Sequence, residues 1–184
     1  MDAIQALALV AAASLALAVV LTLRRTGSLL ARTREAEGFR AQVGDLERRA
    51  GASLAEIAAA VDGVRRRVVE PASIRDALTA AHDAAERYAE EARSLSGPPD
   101  ARPAQANLVA ELERAARAIE LVDHGCAVLE SAWRGELGPE AQTSIKRGYL
   151  NLVHAREGAA RAAAEARRAA ESASPARRIG RRAA

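Results

Sequence analysis

Cysteine is almost missing from this chain: the single Cys126 cannot close an internal disulfide, so nothing in its thiol content points to an oxidising compartment. Aromatic residues make up 2% of the chain, and no stretch alternates Val, Ile, Thr or Tyr with polar residues, which removes strands from the expected fold. Phosphate-binding glycine loops, the dinucleotide glycine fingerprint, His-Glu-x-x-His, Cys-x-x-Cys pairs and Gly-x-Ser-x-Gly are all lacking. No catalytic motif remains, and neither an enzyme nor a cofactor is expected. The arginine-rich ends lack interleaved aromatics and a recognisable helix-turn-helix, so nucleic acid is not an expected partner either.

Charge is also missing, from residues 4–23, and that absence organises the rest. Twenty residues at about 1.5 Å each span about 30 Å, the thickness of a bilayer's hydrocarbon core. The run is closed by Arg24 and Arg25. A cleaved secretory leader would need a basic start, a shorter apolar run and a small-residue cleavage site, whereas this chain opens Met-Asp-Ala and closes the run with Leu-Thr-Leu-Arg-Arg. Residues 1–25 are therefore expected to be a single transmembrane anchor. Seven arginines between residues 24 and 50, against none on the N-terminal side, place the N-terminus outside and the body in the cytoplasm, at an inner membrane.

What the chain does have is alanine, about a quarter of all residues, with Arg, Glu and Leu supplying much of the rest, the profile of long helices and coiled coils. Ala, Arg, Gly and Pro all use GC-rich codons, which suggests a GC-rich bacterial genome. The expected fold is all-α: the anchor, then a helical stalk over 26–51, an antiparallel four-helix bundle or coiled-coil body over 52–173, and a disordered basic tail over 174–184.

Within the body the apolar spacing predicts helices over 53–70, 73–95, 104–135 and 139–173. Gly51 reads as a stop, with Ser53 and Glu56 forming a capping box for the first. Leu54, Ile57, Val61, Val64 and Val68 then form its seam. Ser73 and Asp76 after Pro71 read as a second capping box, opening a helix with Ile74, Leu78, Ala81, Ala85, Tyr88, Ala92 and Leu95 on one stripe. The run 96–103, with Pro98, Pro99 and Pro103, is the one loop of the body. Leu108, Leu112, Ala115, Ile119, Val122, Cys126, Leu129 and Trp133 repeat at four and three residues. Gly135, Gly138 and Pro139 make a tight link to an antiparallel neighbour. The last helix starts with Ile145, Tyr149 and Leu152 and ends on Ala159, Ala163, Ala166 and Ala170, a half that is either closely packed or frayed.

The net charge of +3 hides an acidic body between basic ends. Residues 51–176 carry fifteen arginines and Lys146 against nineteen carboxylates. Arg177, Arg178, Arg181 and Arg182 concentrate charge in the tail. If the helices alternate outward and back, the tail starts roughly 32 Å from the bilayer, and an extended chain at about 3.3 Å per residue reaches it.

No metal site is expected, although Glu120 and His124 on the third helix and His154 and Glu157 on the fourth would approach each other in a hairpin centred near Leu137. The spacing of di-metal bundles, Glu-x-x-His, is absent. His154 is followed by Glu157 and Gly158 where a phospho-accepting histidine has Lys and Gly, so the Glu opposes a phosphoryl group. Lys146 is the only lysine beside twenty-six arginines, which would suit a site that rejects the guanidinium. The leading expectation is a membrane-anchored cytoplasmic scaffold or adaptor, with the lipid bilayer and a protein partner or a second copy as partners. A phosphotransfer or sensor-like signalling module is the alternative, and a metal-binding helical protein the third.

Overall fold

Glycines and a Ser-x-x-Glu motif fail to interrupt the first helix. The computed structural model describes the backbone of residues 3–131 and 138–173 and the side chains of residues 31–131 and 138–173. In it α1 runs unbroken over Ala3–Arg65. The stop expected at Gly51 is therefore corrected: Ser53 and Glu56 are interior helix positions rather than caps.

The reason is the stripe on the inner side of α1. Ala36, Phe39, Val43, Leu46, Ala50, Leu54, Ile57, Val61 and Val64 are all buried, and they follow each other at three- and four-residue steps straight through residue 51. An interior glycine costs about 1 kcal/mol against alanine, whereas burying one Leu or Phe contributes about 1.5–3 kcal/mol. Packing outweighs local propensity. The same stripe moves the start of the bundle from residue 52 to Ala36, so that of the described side chains in the segment 26–51 only those of residues 31–35 precede the buried stripe.

A short 3-10 turn, Pro71–Ile74, separates α1 from α2, Arg75–Ser94. The second capping box is also corrected: the Ser73 hydroxyl donates to the Glu70 carbonyl at 2.7 Å, and Ile74, at the cap position, offers no side-chain bond to the helix. Asp76 lies in the first turn, where it complements the helix dipole.

Between α2 and α3, Arg102–Ser131, the chain makes a second 3-10 turn over Pro99–Ala101. The Gln105 side-chain amide donates to the carbonyls of Ala92 and Leu95, both at 2.8 Å, and so closes the end of α2. Gly97 in this loop has no alternative, because a Cβ there would lie 2.5 Å from the Phe39 ring. The chain's only Phe is thereby sealed at 1% exposure.

The link expected at Gly135, with Trp133 before it, falls in residues 132–137, outside the described residues. Past it, α4 covers Gly138–Ala173. Its alanine half is not frayed: Ala163, Ala166 and Ala170 are fully buried and Ala159 nearly so.

Four helices pack together, each antiparallel to its sequence neighbour, and α4 closes the ring against α1. Arg93 pairs with Glu113 and Arg75 with Glu130 across α2 and α3, while Arg49 pairs with Glu91 across α1 and α2. Arg167 reaches Glu47 at 2.8 Å, and the Arg65 guanidinium sits 5.2 Å from the centre of the Tyr149 ring. These exposed contacts add little stability, but the last two give one register for α1 against α4. Ala173 lies level with about residue 41. The bundle thus has two unlike ends. One holds Phe39, the α2–α3 loop and the end of α4; the other holds the α1–α2 corner, the end of α3 and the start of α4.

Among the described residues no helix is long and apolar enough to cross a membrane. The side chains of the apolar run 4–23 lie outside the described residues, as does the tail 174–184.

Candidate functional site

The end of the bundle farther from Phe39 is built by an unusual helix terminus. The Val68 amide donates to the Gly63 carbonyl at 2.9 Å and the Arg67 amide to the Val64 carbonyl at 2.9 Å, the paired bonds of a Schellman cap. Such a cap needs a left-handed residue, normally glycine, and here Arg67 takes it with φ 60°. The residue after it ordinarily packs on the side chain three positions before the cap. That position is Gly63, whose missing Cβ leaves room only for Val69 folding back, with Val69 Cγ2 2.7 Å from where a Cβ would stand. Val68 has nothing to cover it. The expectation that Val68 sits on the seam is corrected: α1 ends at Arg65 and Val68 is 76% exposed.

Val68 opens onto a cleft of about 810 Å³ lined by Val64, Val69, Leu129 and Ile145, with Arg65, Arg67 and Lys146 on its border and Glu70 as the one carboxylate among the described residues that line it. Arg65 is engaged by Asp62 at 2.6 Å, a contact that also holds the Asp62 carboxyl below its usual range. Among the described residues neither Arg67 nor Lys146 has an ion-pair partner. The lone lysine singled out by composition therefore lies at this cleft. Arg67 and Val68 escaped sequence reasoning, although Pro71 restricts the residue before it to extended backbone and is a signal that the helix ends earlier.

The histidine set is not assembled. A Cβ on Gly125 would meet Ala141 and Ile145, one on Gly148 would meet Ala118 and Val122, and one on Gly158 would meet Glu111. This register puts His124 level with about residue 144 and His154 level with about residue 114, roughly 15 Å apart along the axis. The approach expected from a hairpin centred near Leu137 is thus corrected. Glu120 and His124 border a surface groove with Arg114, Arg117 and Asn151, whereas Glu157 borders a different one, between α1 and α4. Among the described residues no group of three or more His, Cys, Asp or Glu side chains could hold a metal ion.

Cys126 is fully buried on the α3 seam. Burial, and then the nearby Asp123 and Glu130 carboxylates, pushes its thiol up to about 11. At neutral pH it is a protonated core residue, without the thiolate that nucleophilic chemistry needs.

The class defined by this geometry is an all-α, up-and-down four-helix bundle with a polar-rimmed cleft at an end. Comparison with family models, with curated proteins and with solved structures gives no match.

Proposed function

We propose that the protein is a membrane-anchored cytoplasmic scaffold or adaptor, in which residues 4–23 hold the bundle to the inner membrane and the bundle offers a helical surface to a protein partner. The observation that carries this reading is where the bundle begins on α1 and where α4 ends. The start of the bundle at Ala36 and the end of α4 at Ala173 lie at the same end, so an anchor before Arg24 leaves the opposite end, with its cleft, facing away from the bilayer. The charge-free run and the arginines that close it supply the anchor.

Orientation is tested by fusing reporters after Ala173 in the intact chain. A reporter active only in the cytoplasm is expected to work and one that requires export to stay silent; the reverse pattern would overturn the cytoplasmic scaffold.

The tail joins the membrane in this proposal. Ala173 is level with about residue 41, which puts it roughly 27 Å along α1 from Leu23. The eleven residues beyond it reach about 36 Å when extended. Arg177, Arg178, Arg181 and Arg182 at an anionic leaflet contribute about 1 kcal/mol each. A peptide of residues 174–184 is expected to sediment with anionic vesicles at low salt, and to be released by high salt or by replacing the four arginines with alanine. Equal sedimentation with neutral vesicles would remove the tail from any electrostatic role.

A further inference from the structure

We propose that the cleft at the α1–α2 corner is a docking site for an acidic peptide segment that carries a branched apolar side chain. This deepens the scaffold reading by naming its partner's chemistry, and it rests on that reading only for the direction in which the cleft faces.

The apolar half of the recognition is Val68, uncovered because Gly63 gives it no intramolecular partner, beside half-buried Val69 and Leu129. An apolar anchor from a partner gains by covering these three together. The polar half is the imbalance on the border. Arg65 is held by Asp62, but Arg67 and Lys146 carry no ion pair among the described residues, and Glu70 is the one carboxylate that the described residues bring to the border. Charge complementarity therefore selects carboxylates.

Arg67 adds an independent indication. The left-handed region disfavours a non-glycine residue such as Arg67, and the cap would form at least as well with glycine. The chain keeps a long cation at the one position of the corner where the backbone disfavours it, the kind of strain that accumulates at binding sites.

Other occupants fit less well. A second copy meeting this end symmetrically would set the same cations, Arg67 and Lys146, on both sides of one contact. A bilayer is at the other end of the bundle in the proposed orientation.

The test uses the full chain in a neutral detergent and fluorescence anisotropy with three short labelled peptides. One alternates Glu with Leu, the second replaces Glu by Lys, and the third replaces Leu by Ser. The first is expected to bind saturably and to weaken in high salt, and the other two to bind at least about tenfold more weakly. Val68→Ser and Lys146→Glu, both on exposed side chains, are expected to weaken it about tenfold each with the melting temperature unchanged.

Arg67→Gly separates a binding role from a structural one, because it is expected to raise the melting temperature by relieving the strained φ while weakening the peptide. No saturable binding of the acidic peptide, equal affinity for the lysine peptide, or indifference to all three substitutions would overturn the proposal. So would a dimer of the full chain, seen by light scattering, that Val68→Ser dissolves, since the occupant would then be a second copy. A failed topology reporter with intact peptide binding would sink the anchor and leave the cleft standing.

Discussion

Ile119→Asp is expected to unfold the bundle. Ile119 is 1% exposed at the middle of α3 and belongs to a core cluster to which all four helices contribute. Among the described residues no polar or charged side chain is buried, so the new carboxylate would find no partner there. A buried, unpaired carboxylate either stays charged at great cost or takes up a proton. Either route, added to the lost isoleucine contacts, amounts to several kcal/mol, a large fraction of a stability of about 5–15 kcal/mol. Circular dichroism melts and limited proteolysis of the detergent-solubilised chain would show it as a collapsed melting temperature and rapid cleavage. An unchanged melt would mean that the stripe is exposed in solution.

The second large effect comes from glycine, and its sign depends on the neighbouring helix. On Gly148 a Cβ would stand 2.9 Å from the Ala118 carbonyl oxygen and 3.1 Å from the Val122 amide. Both are backbone atoms of α3, so nothing yields except the spacing of the two helices. Gly148→Leu is expected to cost about 2–3 kcal/mol through this overpacking. Gly51 is also inside a helix, but a Cβ there meets nothing within 4 Å. Gly51→Ala is expected to stabilise by about 0.5–1 kcal/mol, the ordinary helix gain. Opposite shifts in melting temperature are the expected outcome; a stabilising Gly148→Leu would show that α3 and α4 are not in close backbone contact.

Local sequence read well where one period continued without competition. The stripe of α3 from Leu108 to Cys126 is buried position for position, as are Ile145, Leu152, Ala159, Ala163, Ala166 and Ala170 of α4. Prolines fixed the α2–α3 connection, because Pro98 and Pro99 cannot extend a helix. The reading failed where a local signal met a tertiary one. At Gly51 a plausible stop and cap lost to a core stripe that crosses it. At Val68 the seam period continued on paper for one more step, while the Schellman bonds of Arg67 and Val68 had already turned the chain.

The candidate site was half legible for the same reason. Lys146 stood out by composition alone, being one lysine against twenty-six arginines. Its neighbours in the cleft did not, since Val68 and Arg67 come from α1 and its corner and Leu129 from α3. The histidines were misplaced because a hairpin's register depends on how its link turns, and a shift of a few residues in that link separates His124 from His154 by several helical turns.

By itself the sequence determined the all-helical class, the stripes that three of the helices bury, and the acidic body between basic ends, because periodicity, helix propensity and charge are properties of residues and their spacing. Tertiary structure alone decided that α1 enters the bundle at Ala36, that Gly125 and Gly148 bring α3 and α4 into backbone contact, and that Val68 is left uncovered beside two cations. Those outcomes depend on which helix lies opposite, a relation between segments far apart in the chain that no local pattern encodes.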